Sequence, residues 1–180
     1  TMIMFFLIQV CVMLLQPLIT MYVGQLMGQV NDEAVQMAGV IFSLAGISGI
    51  LAAPFWGKRG QRYGYVKTFC YITFGAGVVN LLQFFTTDVY QFAVVQFIYG
   101  LFLAGAIPNI NANLAEVTDK SIRGKAFGLV TSAQMSGGFV GPLLGGALGY
   151  FLPTKLVIIS TGIILISVAG YTYLKKIKEL

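Results

Sequence analysis

Between Gly128 and Tyr150 the chain reads GLVTSAQMSGGFVGPLLGGALGY, and Gly137, Gly141, Gly145 and Gly149 recur at intervals of four. Four residues are a little more than one helical turn, so these glycines share one nearly bare helix face. A second row, Gly138, Pro142 and Gly146, runs beside it. In water such a stretch would be a poor helix, because each interior glycine costs about 1 kcal/mol relative to alanine. In lipid it is a packing surface on which another backbone approaches closely.

Composition supports the lipid setting. Apolar residues make up 57% of the 180-residue chain and charged residues 9%, with a mean hydropathy of +0.84. Soluble domains carry about 25% charged residues. Five further apolar runs flank the glycine segment, giving predicted spans at 1–26, 34–56, 66–85, 89–115, 127–151 and 156–174. Each approaches or exceeds the roughly 20 residues that cross a hydrocarbon core as a helix. The expected fold is therefore an all-α membrane protein, a single six-helix bundle over residues 1–180. The first run has no charged segment before it and is too long for a signal-peptide core, so it is expected to stay as a span.

Charge sets the expected topology. Lys58, Arg59, Arg62 and Lys67, then Lys120, Arg123 and Lys125, then Lys175, Lys176 and Lys178 occupy alternate connections, and Lys155 alone lies on the other side. The positive-inside rule places those connections and both termini in the cytoplasm, for a multi-pass protein of the cytoplasmic (inner) membrane. The net charge of +5 reads as topology and membrane-lipid contact, with no nucleic-acid partner implied. Thr86-Thr87-Asp88 and Leu152 to Lys155 are short outer turns.

Two polar stripes point to a cavity. Gln9, Met13, Gln16 and Thr20 fall on one face of the first span, with Pro17 expected to kink it. Gln96, Tyr99, Ala106, Asn109 and Asn113 repeat the pattern in the fourth, interrupted by Pro108. Singly, such amides read as interhelical glue; together, on two kinked helices, they suggest a water-accessible midplane site. A wall of Gln9, Met13, Gln16, Tyr99, Phe102 and Asn109 offers amides, a thioether and aromatic faces without fixed charge, and suits a small amphipathic or weakly cationic solute.

Other chemistry has little support. The chain has no histidine, and Cys11 and Cys70 form no metal-type or disulfide pattern, so neither metal nor cofactor is expected. Clustered catalytic groups at membrane depth are lacking, which argues against an enzyme. Asp32, Glu33, Asp88, Glu116, Asp119 and Glu179 all fall in loops or the tail. A non-transporting assembly protein that docks through its glycine faces is a further alternative.

The glycine segment also resembles a known family. Gly128, Gly137, Gly141, Pro142, Gly145 and Gly146 fit g-x(8)-G-x(3)-G-P-x(2)-G-G, the antiporter motif of major facilitator superfamily drug exporters. GKRGQRYGYVK at 57–67 resembles that superfamily's loop motif G-x-L-a-D-R-x-G-r-k: Gly57, Arg62 and Gly64 match, and Gln61 stands where the motif has aspartate. Arg123-Gly124 with Gly128 matches as well.

The resemblance implies a 3+3 inverted repeat forming the C-terminal half of a twelve-helix transporter, with the N-terminal half absent from this chain. The first and fourth spans would line the cavity, and the glycine rows of the second (Ala45, Gly49, Ala53) and fifth would pack against the absent half. The implied function is proton-coupled efflux of amphipathic drugs, with the coupling carboxylate in the other half; a metabolite or sugar exporter of the same architecture is the alternative. Gln96 stands where related halves often carry an arginine, which weakens a charge relay there.

Overall fold

The computed structural model describes residues 2–29 and 31–178, with side chains to residue 174. The side chains of Lys175, Lys176 and Lys178, and residues Thr1 and Glu179, fall outside the described residues. The chain is all helical: α1 (Met2–Met27), α2 (Asp32–Tyr63), α3 (Tyr65–Leu82, continued by a 3-10 turn at Gln83–Phe85), α4 (Val89–Leu103), α5 (Ala106–Val117), α6 (Arg123–Phe151) and α7 (Thr154–Lys178). With α4 and α5 as one broken helix these are six units, and five are long and apolar enough to cross a membrane. The sixth, α6, has 29 residues, enough to span, but glycine, serine and Gln134 dilute its apolar content.

Three helix pairs build the bundle: α1 with α6, α2 with α4–α5, and α3 with α7. Exchanging the first three units for the last three maps α1·α6 onto α4·α2 and α3·α7 onto itself, the pattern that a 3+3 repeat requires. Each pair closes on glycine. A Cβ on Gly137 would lie 2.8 Å from Phe6 O, and one on Gly141 2.7 Å from Met13 Cβ. One on Gly77 would meet Gly162 O at 2.9 Å, and one on Gly100 would meet Ala45 O at 3.1 Å.

This corrects the expectation for the main glycine row: Gly137, Gly141, Gly145 and Gly149 receive α1 of the same chain. The α2 row packs inward too, with Gly49 facing Ala104 at the break that follows α4. Only open space faces Gly128 and Gly146, and Gly138 approaches nothing closer than Gln9 Nε2 at 3.9 Å.

Helix ends follow local chemistry. Asn31 Oδ1 accepts from Ala34 N at 3.1 Å, and Asp88 Oδ2 accepts from Tyr90 N at 2.8 Å, so each caps a helix start. The expected loop at 57–63 is instead the last two turns of α2. Arg59 lies over Phe55 at 5.3 Å and over Tyr63 at 5.7 Å, one turn before and one turn after it, which favours continued helix. Gly64, at φ +91°, makes the turn into α3. Of the motif residues, Gln61 and Arg62 are exposed, and Arg62 lies over the Tyr63 ring.

The fourth unit breaks at Ala104–Gly105, one turn before Pro108 rather than at it. Pro108 has no N–H to give to the Ala104 carbonyl, and Gly105 N turns to Phe102 O at 3.2 Å. That frees the Leu101 carbonyl, which Trp56 Nε1 takes at 2.7 Å. Trp56→Phe keeps the ring stacking and removes this donor. It should lower unfolding stability by about 1 kcal/mol, read as an earlier denaturation midpoint of the purified protein.

Candidate functional site

Between α1, α2 and α4 lies a cavity of ≈ 490 Å³. Gln9, Met13 and Gln16 of α1 face Gln96 and Tyr99 of α4 across it, and Phe42 and Gly46 of α2 close one side. Helical spacing puts the α1 residues on one face, and the glycine contact with α6 turns that face toward α4. No Asp, Glu, Lys or Arg is among the lining residues. The surface is mostly apolar, with a few amides, the usual make-up of a small-molecule site.

The polar groups differ in how they are engaged. Gln96, 5% exposed, accepts at Oε1 from Gln83 Nε2 at 2.8 Å. Tyr99 is also 5% exposed, and its buried hydroxyl has no hydrogen-bond partner. A buried, unsatisfied phenol is costly; Tyr99 presents its ring to the cavity and shares a core cluster with Cys11 and Leu165. Gln9 is half-buried and Gln16 exposed, and neither side chain is hydrogen-bonded among the described residues.

Four predicted site residues do not line this cavity. Asn109 is 1% exposed and sits against Gly60; its Nδ2 donates to Gly105 O at 2.8 Å and to Trp56 O at 3.3 Å, so it ties α5 to α2. Phe102 packs on Trp56, centroids 5.8 Å apart, and against Gly75 of α3. Thr20 and Asn113 are half-buried away from it. The stripe survives the break at Ala104–Gly105, since Ala106 and Ile107 still line the cavity; Asn109, one turn on, is instead held against α2 by the Trp56 and Gly105 carbonyls.

Sequence reasoning missed Gln83 and its surroundings. Thr86 Oγ1 donates to Gln83 O at 2.7 Å, Tyr22 OH lies 3.2 Å from Thr86 Oγ1, and Lys155 Nζ donates to Thr86 O at 3.2 Å. A polar network thus runs from Gln96 at the cavity to Lys155 at one end of the bundle, joining α1, α4 and α7 through the 3-10 turn. Nearby, Asn80 Nδ2 donates to Thr161 Oγ1 at 2.8 Å and fastens α3 to α7. The available signal was a pair of uncharged amides, Asn80 and Gln83, near the end of the largely apolar third span.

At the other end, Arg123 donates through Nη2 to Ala115 O at 2.6 Å. It caps the end of α5 with a cation, where the helix dipole favours one.

Comparison with known proteins is consistent with this geometry. Residues 1–178 match the sequence model of the Major Facilitator Superfamily. The multidrug resistance protein MdtG of Yersinia enterocolitica is 33% identical over 136 residues, which cover 75% of this chain and 32% of that protein. MdtG of Escherichia coli strain K12 is 32% identical over 136 residues, 75% of this chain and 33% of that protein. The matched segment thus spans about a third of the length of these curated relatives.

Proposed function

Because the chain belongs to the Major Facilitator Superfamily, a family of membrane transporters, we propose that it is the C-terminal half of a proton-coupled exporter of amphipathic drugs. The observation that carries this reading is the charge-free cavity between α1 and α4, with Met13, Phe42 and Tyr99 beside three glutamines. Such a wall binds a solute by burying its apolar area and meeting a few polar atoms, and it tolerates varied shapes. A specific anion carrier would instead need a fixed cation in the wall.

In this reading the cavity opens alternately to the two sides of the membrane as this bundle rocks against a second one. The antiporter-type segment of α6 stiffens α1 behind the cavity, and Gly128 and Gly146, with open space before them, are left for packing and gating against the second bundle. No Asp or Glu lines the cavity, so a proton-binding carboxylate would come from the remainder of the protein. Both chain ends and the basic end of the bundle would face the cytoplasm of a cell with this protein in its cytoplasmic membrane.

The glutamines favour a second reading. Gln9, Gln16 and Gln96 could also hydrogen-bond the hydroxyls of a sugar or another neutral metabolite.

The test is export by the intact protein that carries this chain. Cells expressing it should lose a preloaded lipophilic cationic dye faster than empty cells, and a protonophore should abolish the difference. Equal retention across several such dyes would reject drug export. Accumulation of one sugar or metabolite on deletion, with unchanged drug susceptibility, would select the second reading.

A further inference from the structure

A second cavity, of ≈ 460 Å³, lies at the end of the bundle where α1 finishes and α7 begins, and Tyr22, Gln25, Thr87, Thr154 and Lys155 line it. Its donors are unusually free. Thr154 is 4% exposed, and among the described residues its hydroxyl has no hydrogen-bond partner. Lys155 Nζ gives one hydrogen bond, to Thr86 O, and lies 5.7 Å from the Phe84 ring. An ammonium has three N–H donors, so two remain, and among the described residues Lys155 makes no ion pair.

The backbone adds further donors. The amides of Leu156 and Val157 bond to Pro153 O at 2.9 and 3.4 Å, whereas those of Thr154 and Lys155, the first two of a 25-residue helix, have no acceptor among the described residues. The helix dipole places partial positive charge at this same point. No carboxylate lines the cavity to neutralise it.

We infer that this cavity binds a phosphate group, supplied either by a phospholipid headgroup or by free phosphate. The hydroxyl of the largely buried Thr154, an ammonium and two unpaired amides at a helix start together meet the several acceptor oxygens of a phosphate. Gln25 of α1 contributes a further donor from the opposite wall, while the Tyr22 hydroxyl is already spent on Thr86. This site lies apart from the central cavity and does not depend on what that cavity carries.

The experiment uses the intact purified protein in detergent and two probes. Phosphatidylglycerol retention is read by native mass spectrometry, and inorganic phosphate affinity by titration calorimetry. Lys155→Gln should weaken one of the two probes about tenfold, and Thr154→Val about threefold, while Lys155→Arg retains most binding. Loss confined to phosphatidylglycerol identifies a lipid site, and loss confined to inorganic phosphate a soluble-anion site. Lys58→Gln, a basic residue at the opposite end, should leave both unchanged. If Lys155→Gln does not accumulate, Thr154→Val, close in shape, decides. Wild-type binding of both probes by Lys155→Gln and Thr154→Val, no binding of either probe by the wild type, or an equal loss in Lys58→Gln would overturn the inference.

Discussion

Gly46→Phe should cut dye export at least about tenfold, the loss that 1.4 kcal/mol of binding represents, while leaving the folded bundle as stable as before. Gly46 lines the central cavity, and a Cβ built on it meets no atom within 4 Å. The added ring therefore has room to enter, and it takes up space that a solute would use. Helix propensity favours the change, because an interior glycine gives way to a better helix former. Gly39→Phe on the same helix is the control: its Cβ is equally unobstructed, but it does not line the cavity. Export should survive there. Equal export in both variants would mean that the solute passes elsewhere.

Gly145→Val should do the reverse and damage the fold. A side chain there runs into the backbone of Leu14, and backbone cannot rotate aside as a side-chain tip can. Overpacking of this kind costs about 1 to 3 kcal/mol even where side chains can adjust, so a fall in the thermal midpoint and in monodisperse protein is expected. Gly146→Val, one residue on, meets nothing within this bundle and should cost the bundle itself no more than about 0.5 kcal/mol. The pair separates glycine that packs inside this bundle from glycine that faces outward, where the second bundle of the proposed transporter would pack. If both variants melt alike, the α1–α6 seam is not what holds this bundle.

Most of the architecture was legible because a membrane imposes few choices. Runs of apolar residues had to become helices, and the turns at Thr86–Asp88 and Leu152–Pro153 lie where short polar breaks place them. The second connection was misread because basic residues were equated with a loop. Arg59 instead lies along Phe55 and Tyr63 and keeps the helix intact until Gly64.

The site was half legible. Gln9, Met13 and Gln16 came together with Gln96 and Tyr99 because both stripes lie on unbroken helix, where periodicity holds. Asn109 was lost within α5, although Ala106, one turn earlier in the same stripe, still lines the cavity. There its amide answers a local need, the carbonyls of Gly105 and Trp56. Which helix would receive the glycine row could not be read from a single sequence. Spacing reveals a bare face but not its neighbour, and the neighbour proved to be α1. The pairing of Gln83 with Gln96 was hidden for the same reason, since the two belong to different helices.

The central claim is that the glutamine faces of α1 and α4 border a space that solutes and water enter. Cysteine accessibility measures it directly. With the buried Cys11 and Cys70 replaced by serine, single cysteines at Gln9, Gln16 and Phe139 are treated with a charged, water-soluble methanethiosulfonate reagent in the intact transporter. Gln9→Cys and Gln16→Cys should react, and a transported dye should slow both reactions; Phe139→Cys, on the exposed apolar face of α6, should stay unmodified. Inert cysteines at 9 and 16, or labelling that dye leaves unchanged, would contradict the claim.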